Sequence, residues 1–212
     1  MKRIDIQSWN RREHYEFFSS LKSPTFGITA EVDCTAAYAG SKARGHSFFA
    51  TYLHASMRAV NSVPELRLRI IDGAVWELDV IHAGAAVSRG DGTFAFIFVP
   101  YSDDFATFNR SLDEELDAVR SSTGLRLNGD NVKHDLVRYS TIPWLHFTAI
   151  LHPSNHNPSD AVPRITFGSF REEAGRKRMP VSVEAHHGLV DGLHVSRYFE
   201  ELQRLLDGPL QC

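Results

Sequence analysis

Cysteine is scarce in this sequence. Cys34 and the terminal Cys212 are the only two in 212 residues, too few and too far apart for a disulfide framework or a zinc site. Both are expected to be plain thiols. Long apolar runs are missing as well, since no segment approaches the ~20 consecutive apolar residues of a membrane-crossing helix. The opening stretch MKRIDIQSWNRREHYEFF mixes charged with apolar residues and has no signal-peptide core. A cytoplasmic, membrane-independent protein is expected. Charge of one sign is not in excess: 23 Lys and Arg stand against 26 Asp and Glu, for a net charge of -3. That balance offers no electrostatic handle for nucleic acid or an anionic membrane surface, and suits a small partner better. Internal repeats, low-complexity tracts and linkers are absent too. Residues 1–212 therefore read as one domain, with enough apolar content (42%, including 11% aromatic) for a single core.

What is present is a mixture of two periodicities. Phe26, Ile28, Ala30 and Val32 alternate between Thr25 and Asp33 as in a half-buried strand, preceded by a short helix from Arg11 to Phe18. Gly40 to Gly45 reads as a loop. Ser47 is placed to cap a helix carrying Phe49, Tyr52, Leu53, Met57 and Val60, with Pro64 beyond its end. Asp72-Gly73 between two apolar runs is a hairpin signature, and Thr93 to Val99 is a further strand. Ser102-Asp103-Asp104 opens a helix striped with Phe105, Phe108, Leu112, Leu116 and Val119, which Gly124 ends. Strands are expected over roughly 135–140, 145–151, 164–170 and 179–187, with a polar loop from Pro153 to Pro163, and a last helix runs from Gly192 to Gly208-Pro209. The mixture predicts a two-layer α/β sandwich, a mixed sheet covered by helices.

The segment with chemistry in it is His186-His187-Gly188-Leu189-Val190-Asp191-Gly192, where the last strand hands over to the last helix. Met179, Val181, Val183 and Ala185 share one face of that strand. The period of two puts His187 on the same apolar face and His186 with Ser182 and Glu184 on the other. An imidazole in an apolar wall tends to stay neutral, which is the form a general base needs. Two histidines facing opposite ways, with no other ligands near, make a poor metal site.

The pattern His-His-x-x-x-Asp-Gly resembles the signature shared by the chloramphenicol acetyltransferases and the catalytic domains of dihydrolipoamide acyltransferases. Three further segments resemble the first family: Trp9-Asn10-Arg11-Arg12-Glu13-His14-Tyr15-Glu16, Ser140-Thr141-Ile142-Pro143-Trp144, and the run from Met179 to Leu205. The resemblance spans essentially the whole chain and implies the coenzyme A-dependent acyltransferase fold. It implies His187 as general base and Ser140 as the hydroxyl that stabilises the oxyanion. It also implies a supporting ion pair between Asp191 and Arg12, Thr166 acting through a water near the same intermediate, and Trp144 near the coenzyme. Acetyl-CoA is implied as co-substrate and a small alcohol such as chloramphenicol as acceptor, in a ternary complex without an acyl-enzyme, metal or prosthetic group. A homotrimer with active sites between subunits is implied as well. Independently, Phe94, Phe96 and Phe98 fall on a strand face that needs a partner surface.

The acceptor side departs from the family pattern. His152 and Ser154 stand at positions that are usually apolar, Arg138 replaces a smaller or aromatic residue, and Ser169 replaces a lysine near the coenzyme, for which Arg176, Lys177 and Arg178 are candidate substitutes. Two other functions remain open at this level: transfer to another acceptor, including a lipoyl group, and a degenerate trimeric binding protein.

Overall fold

Alternating small and branched apolar residues build a sheet that buries one face across its whole width. In the computed structural model, which describes residues 1–127, 133–153 and 157–208, the elements are β1 (Lys2–Arg3), α1 (Arg12–Ser19), β2 (Thr25–Asp33), α2 (Thr35–Ala43), α3 (Phe48–Ser62), β3 (Leu68–Ile71), β4 (Ala74–Glu77), β5 (His82–Ser88), β6 (Phe94–Val99), α4 (Phe105–Arg120), β7 (Leu136–Ile142), β8 (Arg164–Gly168), β9 (Arg171–Glu173), β10 (Arg176–His186) and α5 (Gly192–Asp207). The main sheet runs β2-β10-β8-β7-β5-β6, with β9 beside β10. The strands β1, β4 and β3 form a small second sheet. β5, β7 and β8 are parallel neighbours and the other pairings are antiparallel, so the sheet is mixed.

One row of paired residues crosses the main sheet: Ile97, Ala85, Tyr139, Ile165, Val183 and Ile28. These join a continuous core with Leu53, Met57 and Val60 of α3, Phe108 and Leu112 of α4, and Val195, Tyr198 and Leu202 of α5. A buried Ser56 hydroxyl bonds to the phenols of Tyr139 (3.0 Å) and Tyr198 (2.7 Å), which ties α3, β7 and α5 together. The opposite sheet face is polar over β2, β10, β8 and β7, while β6 presents Phe94, Phe96 and Phe98 there. One of its rows pairs Arg138, Arg164 and Glu184; the next pairs Ser140, Thr166, Ser182 and Thr29.

The helix starts follow capping chemistry. Ser47 accepts from the Ala50 N–H and Asp104 from the Thr107 N–H, each meeting one of the orphan donors of a first turn. A further polar group is enclosed completely: the Arg69 guanidinium donates to the carbonyls of Leu66, Leu68, His134 and Leu136 at 2.7–2.9 Å.

Several expectations change. Residues 145–151 are not a strand: the segment lies irregularly, with Leu145 and Leu151 exposed, and it meets the sheet edge through the Leu145 carbonyl, which accepts from the Ser169 N–H, and through the His146 ring, which bonds the Ser169 carbonyl and the Glu31 carboxylate of β2. The stretch read as a loop at Gly40 to Gly45 is mostly the end of α2, and β5 and β9 were not expected at all. Ser154 and Cys212 lie outside the described residues. Cys34 is buried, which pushes its thiol up to about 12. Among the described residues no helix is long and apolar enough to cross a membrane.

Candidate active site

β10 ends at His186, so His187 is the first residue of the turn, its N–H bonded to the Pro24 carbonyl at 2.8 Å. Its imidazole lies between two aromatic rings, stacked on Phe18 of α1 (centroids 4.0 Å apart, interplanar angle 12°) and tilted against Phe26 of β2 (4.3 Å). The Nδ1 atom is sealed from solvent with no hydrogen-bond partner among the described residues. This leaves Nε2 as the nitrogen that can meet a ligand. The apolar-face expectation for His187 holds, with the two phenylalanines forming the wall.

His186 is structural. Its Nδ1 accepts from the Gly188 N–H (3.1 Å), which fixes the proton on Nε2, and that N–H donates to the Pro158 carbonyl (3.0 Å). Burial lowers its pKa, so the ring is neutral. Gly188 is required by this contact: a Cβ there would stand 2.9 Å from His186 Cε1 and 3.2 Å from Tyr15 Cα.

Asp191 caps α5 in a capping box, accepting from the Leu193 N–H while its own N–H donates to His194 Nδ1 (3.0 Å). Its other oxygen takes a short ion pair from Arg11, whose guanidinium also reaches the His187 carbonyl at 3.3 Å. Burial alone would raise this carboxyl, but the hydrogen bond from Arg11 and the neighbouring cations hold it below the usual carboxylate value. The ion-pair partner is thus Arg11, which corrects the sequence expectation of Arg12. Arg12 is the first residue of α1, and its side chain turns outward to Glu16 (2.8 Å) and Gln7 (2.9 Å). Arg11, on the non-helical cap residue before it, points back to the α5 turn. Two adjacent arginines fit the same motif, and only the start of α1 separates them.

On the polar sheet face Ser140 and Thr166 sit side by side on β7 and β8. Among the described residues the Ser140 hydroxyl has no hydrogen-bond partner, whereas Thr166, wholly buried, bonds to His152 Nε2 at 2.9 Å. His152 in turn donates to Glu184, through its backbone N–H (3.2 Å) and ring Nδ1–H (2.9 Å). Arg138 pairs with Asp160, which Arg164 also holds. This cluster was only partly foreseen. His152 and Arg138 were singled out as departures, but Glu184 and Asp160 were not, because burial of a carboxylate is not legible from its own neighbours in the chain.

His187 and Ser140 are not brought together within one chain. Ser140 pairs with Thr166 and Thr166 with Ser182, five positions before His187. Strand geometry separates them by about 16 Å along the strands and about 10 Å across two strand spacings. They also lie on opposite faces. Trp144 is 79% exposed. At the suggested coenzyme end, Lys177 pairs with Glu172 and lies over the Phe170 ring, and Arg176 pairs with Asp33.

The comparisons with known proteins first define a class. A solved structure of a chloramphenicol acetyltransferase superposes with a TM-score of 0.90 at 32% identity, covering 97% of this chain and 99% of its own. A probable dihydrolipoamide acetyltransferase from Listeria monocytogenes shares the fold with a TM-score of 0.67 at 16% identity, covering 98% and 94%. The architecture is that of an acyltransferase. Within that class the family model for chloramphenicol acetyltransferase matches residues 1–203, and the chain belongs to the chloramphenicol acetyltransferase family. Its relatives include chloramphenicol acetyltransferase 3 of Escherichia coli, 29% identical over 99% of this chain and 98% of the relative, and the chloramphenicol acetyltransferase of Bacillus pumilus, 24% identical over 97% and 93%.

Proposed function

We propose that this chain is an acetyl-CoA-dependent O-acetyltransferase acting on a hydroxyl of chloramphenicol or a related small acceptor. It works in the cytoplasm as a homotrimer of one-domain subunits. The observation that carries the reading is the His187 ring, clamped between Phe18 and Phe26 with Nδ1 closed off and Nε2 without a hydrogen-bond partner among the described residues. Nε2 removes the acceptor's hydroxyl proton as that oxygen attacks the thioester carbonyl. The developing oxyanion takes a hydrogen bond from Ser140, whose hydroxyl has no partner among the described residues. Collapse of the intermediate expels the coenzyme A thiolate, which recovers the proton from the imidazolium, so no acyl-enzyme, metal or bound cofactor is called for.

The distance and the opposite faces of His187 and Ser140 support a site built from two copies: His187 of one subunit works against Ser140 and Thr166 of the next. Phe94, 48% exposed, with Phe96 and Phe98 on the same strand face, supports burial against a second chain. A different acceptor is favoured by one observation, the charged pair Arg138 and Asp160 beside Ser140.

The test is thiol release from acetyl-CoA with chloramphenicol, other alcohols and dihydrolipoamide as acceptors. His187→Ala is expected to lower acceptor-dependent turnover by ~10²–10⁴ while leaving the melting temperature close to that of the wild type. Turnover that survives this change rejects the assignment.

A further inference from the structure

Glu184, His152 and Thr166 form a buried chain of which the reaction above uses only the Thr166 end. Their side chains come from β10, from the segment after β7 and from β8, and Thr166 is fully enclosed while Glu184 and His152 are 6% and 18% exposed. A carboxylate only accepts, so the His152 nitrogen facing Glu184 carries a hydrogen and the other, Nε2, faces the Thr166 hydroxyl. With one proton on the ring, Nε2 accepts and the Thr166 proton is committed to it. With two, Nε2–H donates and the Thr166 proton is released towards the neighbouring strand, where Ser140 sits. In either state the direction of the Thr166 hydroxyl is dictated by His152.

We propose that His152, anchored by Glu184, is a positioning residue for acyl transfer: it acts through Thr166, fixing which hydrogen-bonding role that hydroxyl offers beside Ser140. The proposal rests on the acyl-transfer reading above. His152 does not touch the reacting atoms, since both its ring nitrogens are engaged within the protein. Nor is it needed merely to hold its segment down. Pro158 is held by His186, and Asp160 by Arg138 and Arg164, so the segment stays fastened to the sheet without it.

A double-mutant cycle tests this in the full-length enzyme. His152→Leu should lower kcat by ~10- to 100-fold, with the KM for acetyl-CoA changing by less than about twofold. Because this variant strands the Glu184 carboxylate, His152→Leu combined with Glu184→Gln provides a second form without the buried charge, and it should show the same kcat. Thr166→Val should lose as much as His152→Leu, Thr166→Ser should retain most of the activity, and His152→Leu with Thr166→Val should be no worse than the poorer single variant. Multiplied losses in the double variant, or an unchanged kcat in either folded His152 variant, overturn the proposal. A readout independent of activity is the nitrogen-15 spectrum of the imidazoles: Thr166→Val should move the His152 Nε2 resonance, and an unmoved resonance removes the link itself. A wild type that acetylates none of the acceptors counts against the acyl-transfer reading and takes the proposal with it. An active wild type indifferent to His152 sinks the proposal alone.

Discussion

Two neighbouring arginines divide structure from solvent. Arg11 has a side chain only 12% exposed and ties the start of α1 to the Asp191 cap of α5, whereas Arg12 makes a solvent-facing pair with Glu16. Exposed helix pairs contribute about 0.3–0.5 kcal/mol, so Arg12→Ala should leave the thermal melt almost unchanged. Arg11→Ala should destabilise by about 2 kcal/mol, less than for a fully buried pair because Asp191 keeps some solvent contact. The two melts, run side by side, decide between the arginines. The pH dependence has a definite sign. The folded Asp191 carboxyl is held below its ordinary value of 3.8, so its contribution is present above that pH and is lost as pH falls through the folded value. The deficit of Arg11→Ala should therefore be complete at neutral pH and shrink in acid below about pH 4. A deficit that grows on acidification would contradict the ion-pair account.

The turn joining β10 to α5 works because a glycine lets two elements approach. Gly188→Ala would push a methyl into the His186 ring and the Tyr15 backbone. It should cost about 1–3 kcal/mol, as overpacking does, and should lower kcat by displacing His187 from its slot between Phe18 and Phe26. A Gly188→Ala enzyme with wild-type melt and kcat would show that the turn is looser than this. The β10 face pattern was readable from alternation alone, and so were the caps at Ser47 and Asp104 and the hairpin at Asp72-Gly73, since each depends on residues adjacent in sequence. Strand β5 was not. Its His82-Ala-Gly-Ala-Ala run has little β preference, yet the strand is paired on both sides, by β7 and β6, and Gly84 is small because the Leu136 side chain sits 3.2 Å from where its Cβ would be. Residues 145–151 mislead in the other direction, alternating like a strand while covering the sheet instead of joining it. The site divides the same way. The apolar-face position of His187 followed from the period of two and the place of Asp191 at the turn from the motif, while Ser140 was named only through the family resemblance; the choice of Arg11 over Arg12 and the partnership of Glu184 with His152 depend on where elements begin and how they pack.

At the scale of the whole molecule, the proposed mechanism sets its base, His187, and its oxyanion hydroxyl, Ser140, on opposite sheet faces, and so predicts that activity is a property of the assembly. His187→Ala and Ser140→Ala should each be inactive, the second losing ~10²–10³ in kcat. Dissociated, mixed in equal amounts and reassembled, they should recover about one quarter of the wild-type sites, the fraction of interfaces that combine an intact His187 with an intact Ser140. Recovery near zero despite proven mixed assembly, or an active monomer in sedimentation, would overturn the shared site.

The enclosed Arg69 guanidinium bears on the order in which the chain completes itself during synthesis. Two of its four carbonyl acceptors lie close by at Leu66 and Leu68, but the other two, at His134 and Leu136, belong to a part of the chain translated more than sixty residues later. Until those residues emerge from the ribosome, a permanently charged group has only half its acceptors and must remain hydrated. The pocket around Arg69 is therefore expected to close only when β7 arrives, the same strand that carries Ser140.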